Sequence, residues 1–122
     1  MRQPEEIHPR FVTAFNSGDI DAIMALYEPN ATFVPQPGQV VQGQDAIRQA
    51  LLQFLALKGT VQVKDIFTVH GPGIALVRGQ WTLTGIGPEG KPIEMGGQSL
   101  EVLRQQPNGE WLYAVDHPFG AD

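Results

Sequence analysis

The feature that most constrains this chain is a change of hydrophobic period near its midpoint. Up to Lys58 the apolar residues recur at helical spacing, and from Thr60 onward they largely alternate with polar ones. Phe11, Val12 and Phe15 share one helical face, Ile20, Ile23, Met24 and Tyr27 a second, and Ile47, Leu51, Phe54 and Leu55 a third. Beyond them Val61, Val63, Phe67 and Val69 read as a strand. Turn signals then recur at His70-Gly71-Pro72-Gly73, from Gly85 to Gly90, and at Pro107-Asn108-Gly109. Helices first and an antiparallel meander second define an α+β domain.

Local chemistry sets the expected boundaries. Pro9 predicts either a kink or a helix that begins beside it, and Asn16-Ser17-Gly18 ends that helix. Asp19 is a suitable N-cap for the next, which Pro29-Asn30 closes, with the Tyr27 hydroxyl expected near solvent. Ala31 to Val34 is a short strand that Pro35 and Pro37 stop. The third helix is expected over Asp45 to Lys58, with Gly59 as its C-cap. Later strands are expected over Ile74 to Thr84, about Lys91 to Gln105, and Glu110 to Pro118. With 122 residues, the whole span 1–122 is expected to form one domain.

Several function classes are disfavoured. Eight Lys and Arg scattered through a chain of net charge -5 leave no basic footprint, so nucleic acid is not an expected partner. No apolar run approaches the roughly 20 residues of a membrane span, and the polar start has no secretory pattern. The absence of cysteine excludes thiolate chemistry and fits a cytoplasmic location. His8, His70 and His117 share no ligand spacing, so neither a metal nor a cofactor is expected.

The stretches Gly18-Asp19-Ile20-Asp21-Ala22-Ile23, Asn30-Ala31-Thr32-Phe33 and Gly43-Gln44-Asp45-Ala46-Ile47, in this helix-then-strand order, resemble the nuclear transport factor 2-like superfamily. That superfamily includes the ketosteroid isomerases, the SnoaL polyketide-cyclase-like proteins and the limonene epoxide hydrolases. The resemblance implies three helices closing one side of a strongly curved sheet around a conical apolar cavity. It implies no intact isomerase site: Val34-Pro35-Gln36 lacks the general base, and Phe11 replaces the oxyanion-hole tyrosine. Glu101 stands where those enzymes carry an aspartic acid. Arg78-Gly79-Gln80 keeps the arginine of the epoxide hydrolases without the acid beside it, and Asp116 matches an acid of the last strand.

Strand parity sends Glu101 to the opposite face from Leu100 and Val102, either into the cone or onto a solvated or ion-paired surface. If it faces the cone, no inward Lys or Arg is evident, and the acid is expected to stay neutral and donate to a ligand. Asp116 shares its face with Leu112 and Ala114, again pointing inward or capping a strand end, and His117 points the other way. Phe11, Phe15, Phe33, Trp81 and Met95 are expected as wall, with Gln36, Gln98, Ser99 and Ala114 as further ligand contacts. The expected function is binding of a small, largely apolar molecule, with acid-base chemistry by Glu101 or Asp116 left open. The alternative is a non-catalytic association module with a collapsed cavity. Leu100, Val102, Trp111, Tyr113 and Val115 form a second apolar face, which predicts a homodimer through the outer side of the sheet.

Overall fold

Two prolines set how the chain enters its first helix. The computed structural model describes residues 3–87 and 89–122; Met1, Arg2 and Pro88 of the expected Gly85 to Gly90 link lie outside the described residues. A 3₁₀ turn, Pro4–Glu6, leads into α1, Ile7–Asn16. Pro9 is in the first turn, where an amide has no partner within the helix, so α1 begins beside it. Gly18, at φ +68°, ends the helix. The Asp19 carboxylate then accepts from the Ala22 amide at 3.1 Å and starts α2, Ile20–Met24.

This second helix is shorter than its apolar spacing predicts. Were it to continue, the Pro29 ring would strike the Ala25 carbonyl, and Tyr27 instead opens β1, Tyr27–Gln36. The strand also runs past Val34. Pro35 lies in the irregular stretch between the pairs Phe33–Val41 and Gln36–Gln39, where its missing amide interrupts no regular ladder. Pro37 and Gly38 turn the chain into β2, Gln39–Gln42, a strand not expected from the sequence.

Helix α3, Gln44–Leu55, ends before Lys58, and it is Lys58, at φ +51°, that takes the left-handed conformation expected of Gly59. Gly59 serves a different need. A Cβ there would lie 2.2 Å from the Thr84 carbonyl oxygen, so only glycine lets the chain pass this close to the sheet.

The meander follows as β3, Thr60–Gly71, β4, Ile74–Ile86, β5, Pro92–Gln105, and β6, Trp111–His117. The six strands lie in the order β2-β1-β6-β5-β4-β3, antiparallel except for β1 beside β6. The curled sheet carries the three helices on its concave side, where Ile7, Phe15, Ile23, Ile47, Leu51, Leu83 and Leu103 are buried. No helix among the described residues is long and apolar enough to cross a membrane.

Two β-bulges reset side-chain parity. Ile66 is the extra residue of β3 and Ala114 that of β6. Because of the second, Trp111 and Tyr113, expected on the outer face, are buried on the concave side with Leu103. The face Asp116 shares is therefore that of Tyr113, and Ala114 is the bulged residue between them.

Candidate functional site

Register brings the two candidate acids together. Val77, Glu101, Asp116 and Phe33 are successive cross-strand partners on β4, β5, β6 and β1, and cross-strand partners share a face. Glu101 and Asp116 are thus neighbours on the concave face, 4% and 6% exposed. The next row holds Asp65, Gly79 and Ser99. Helix α1 lays His8 across both rows.

Only a glycine at position 79 permits this. A Cβ there would stand 2.8 Å from His8 Cε1. The His8 imidazole lies with Nδ1 against the Asp65 carboxylate and Nε2 at 3.1 and 3.2 Å from the two Glu101 oxygens. Burial opposes protonation of this ring. The hydrogen bond and charge of Glu101, followed by those of Asp65, outweigh it and raise the His8 pKa to about 9. His8 is therefore an imidazolium at neutral pH and donates from both nitrogens. The Ser99 hydroxyl lies 3.1 Å from Glu101 Oε1 and 3.2 Å from the Gly79 carbonyl, a single proton shared between two acceptors.

Asp116 has a different environment. Tyr27 donates its hydroxyl to Asp116 Oδ2 at 2.5 Å. Burial, then the charge of Glu101, raises the Asp116 pKa to about 7 against the opposing Tyr27 hydrogen bond and His8 charge. Among the described residues Asp116 Oδ1 has no hydrogen-bond partner, and neither does the Tyr113 hydroxyl, although Tyr113 is 2% exposed. Burial, with Glu101 and Asp116 nearby, pushes the Tyr113 pKa well up, so the phenol keeps its proton. Its ring packs 4.8 Å from that of Tyr27.

Of these groups His8, Ser99, Glu101, Tyr113 and Asp116 line a cavity of about 70 Å³ whose wall is largely apolar. Trp81, held at the rim by a 2.7 Å bond from Nε1 to the Pro118 carbonyl, borders it, as does Phe54. Phe54 also borders a larger groove of about 460 Å³ between α3 and the β1–β2 hairpin. No group of three potential metal ligands occurs among the described residues.

A family model described as a SnoaL-like domain matches residues 9–112. The chain belongs to that family. Solved structures agree on the fold. A ketosteroid isomerase-like protein from Erwinia carotovora atroseptica superposes with a TM-score of 0.81 at 24% identity, over 93% of this chain and 89% of that one. A nuclear transport factor 2-like superfamily protein from Salmonella enterica serovar Typhimurium gives 0.79 at 19%, over 92% and 84%. A protein of unknown function from Mycobacterium tuberculosis gives 0.79 at 18%, and this chain, matched over 93% of its length, spans 66% of that one. No curated protein matches the chain.

In this SnoaL-like domain, Phe11, Phe15, Phe33, Trp81, Ser99, Glu101 and Asp116 border the cone. Gln36 and Met95 border the outer groove instead. Gln98 is on the convex face, where its Oε1 accepts from Arg78 at 3.0 Å, and Ala114 is buried in its bulge away from the cavity. Arg78 and Gln80 both face outward, because they alternate with the inward Val77 and Gly79, so the arginine of an epoxide-hydrolase arrangement does not reach the cone. The donor role expected of Glu101 gives way to an acceptor role, since its inward cation is a histidine and not the Lys or Arg sought in sequence. His117, paired with Leu100, faces away from Asp116.

Five site residues were not indicated by the sequence. His8 precedes Phe11 by three and Phe15 by seven, which is the cavity face of α1, and this spacing was the available signal. Asp65 continues the inward parity of Val61 and Val63. Gly79 in mid-strand marked a close approach. Tyr27 and its buried hydroxyl were masked by a helical spacing that also suits a strand start, and Tyr113 by the bulge.

Proposed function

We propose that this SnoaL-like domain binds a small, largely apolar molecule in its cone and exchanges a proton with it at Asp116. The observation that carries the reading is the Asp116 carboxyl itself: buried at the cavity wall, oriented by Tyr27, with one oxygen uncommitted and a pKa raised to about 7. An acid-base group is most effective when its pKa lies near the working pH. Burial sets that value, the charge of Glu101 adds to it, and His8 holds Glu101 in place. The cavity is below the ~150 Å³ that accommodates benzene in an engineered core, which favours a compact ligand or outward rotation of Phe54. Steroid isomerisation is not part of the proposal. Phe11 offers no oxyanion donor, and loss of one such donor costs on the order of 10²–10³ in rate.

A ligand-observed NMR screen of small neutral apolar compounds tests the reading. Binders should shift the Phe33 and Tyr113 resonances, and a bound compound with an acidic C–H should exchange it in D₂O on the order of 10²-fold slower with Asp116→Asn. If no compound perturbs the cone, and exchange is the same in both proteins, the proposal fails.

The convex face supports a second role, in association. Val69, Leu76, Val102 and Val115 form one paired row across β3 to β6, with Val69 55% exposed. Arg78, on the same face, has a buried Nε without a partner among the described residues. A homodimer through this face would cover the apolar row. Light scattering that gives a monomer at micromolar concentration would refute it.

A further inference from the structure

We propose that the ligand of the cone is a small amine, bound as its ammonium ion with the nitrogen against Asp116 and the apolar body among the aromatic rings. The inference rests on the reading of the cone as a ligand pocket and names its substrate class.

Three observations carry it. The first is an imbalance of charged groups. Asp65, Glu101 and Asp116 gather around a single imidazole, and among the described residues no Lys or Arg borders the cavity. His8 is engaged at both nitrogens by Asp65 and Glu101, so among the described residues no cation is hydrogen-bonded to Asp116. Around Asp116 stand Tyr27 from β1, Tyr113 from β6, Glu101 from β5 and His8 from α1; the two phenols are neutral. A carboxylate ligand would meet this acidic group without a partner, whereas an ammonium would supply the missing positive charge.

The second observation is that two polar atoms inside the cone are unused. Asp116 Oδ1 and the Tyr113 hydroxyl have no hydrogen-bond partner among the described residues, yet both residues border the cavity and are more than nine-tenths buried. An ammonium has hydrogens to give to both, the carboxylate as a charged acceptor and the phenol oxygen as a neutral one.

The third is the wall. Phe11, Phe15, Phe33, Phe54, Trp81 and Tyr113 all border the same small space. Their ring faces carry negative electrostatic potential, and a cavity walled by several of them attracts ammonium ions by cation–π interaction. Aromatic walls alone would suit any apolar body. Combined with an uncompensated carboxyl, they select a cation.

The test uses two probe sets, benzylammonium, benzyl alcohol and benzoate, which need outward rotation of Phe54, and the smaller propylammonium, propanol and propionate, which fit the ~70 Å³ cavity more closely, each titrated into the intact protein at pH 8 by calorimetry, with NOEs to Phe33 and Tyr113 locating the site. Benzylammonium should bind on the order of tenfold more tightly than benzyl alcohol, in keeping with a charge-assisted hydrogen bond, and benzoate more weakly than either. Asp116→Asn should bring amine and alcohol to within about threefold of one another, while Glu101→Gln, which keeps Asp116, should retain the preference for the amine. Benzyl alcohol binding in the cone as tightly as the amine would overturn the amine assignment and leave the pocket reading intact. A folded Asp116→Asn protein that keeps the full amine preference would overturn the placement of the nitrogen. Failure of the small probe set as well as the ring set to reach the cone would remove both the assignment and the reading on which it rests.

Discussion

Raising the pH from 5 to 9 should destabilise this protein, and the structure sets the scale. The Asp116 proton is retained up to about 7 in the fold, against an ordinary value of 3.8. The folded state thus holds a proton that the unfolded chain has already lost, so stability present below pH 4 is lost as pH rises to 7. At ~1.4 kcal/mol per pKa unit this amounts to on the order of 4 kcal/mol. His8 acts in the same direction in the next window: its pKa rises from 6.5 to about 9, so its contribution is complete below 6.5 and lost on passing 9. That is on the order of 3 kcal/mol. Part of the Asp116 loss falls below pH 5, and both groups interact with Glu101, so the combined loss from pH 5 to 9 should fall short of the sum, at about 5 kcal/mol, a large part of the stability of a domain this size. Urea unfolding followed by tryptophan fluorescence at half-unit pH steps measures it. Asp116→Asn should flatten the slope from pH 4 to 7, and His8→Gln the slope from 6.5 to 9. Equal or greater stability at pH 9 than at pH 5, or an unchanged slope in His8→Gln, would refute the reasoning.

Other substitutions test separate parts of the site. Gly79→Ala should cost about 1–3 kcal/mol through overpacking, because its Cβ would stand 2.8 Å from His8 Cε1, and an NMR titration should find His8 deprotonating at lower pH as its contacts loosen. Tyr27→Phe removes the 2.5 Å bond that lowers the Asp116 pKa, so the Asp116 midpoint should move up and stability at pH 8 should fall by about 1–2 kcal/mol. Val102→Lys, in the middle of the convex apolar row, should leave the fold unchanged by circular dichroism and convert a dimer to a monomer by light scattering.

Much of the architecture was legible because it rests on local signals. The change of period at Thr60, the Asp19 cap and the Gly-containing turns each follow from the conformational needs of a few adjacent residues. Glu101 was legible in part for the same reason: strand parity sets it opposite Leu100 and Val102, but it left open whether that face was the cone. The site was harder to read because its contacts are long-range. His8 meets Asp65 and Glu101 across 57 and 93 residues, and no local pattern registers such a pairing. Tyr27 fits a helical stripe as well as a strand start, and only its contact with Asp116, 89 residues on, shows what the side chain does. The Ala114 bulge reverses parity in β6, so an alternating reading assigned Trp111 and Tyr113 to the wrong face. A bulge depends on the partner strand and leaves no alternation of its own. Gly79 is intermediate: a mid-strand glycine announces a close approach without saying what approaches.

Whether a ligand meets Asp116 inside the cone is read from a ¹³C titration of the Asp116 carboxyl, in the free protein and with saturating benzylammonium. A midpoint of about 7 is predicted for the free protein. It should fall on binding, because a cation beside the carboxyl favours its charged form. A free midpoint near the ordinary aspartate value of about 3.9, unmoved by ligand, would contradict the account.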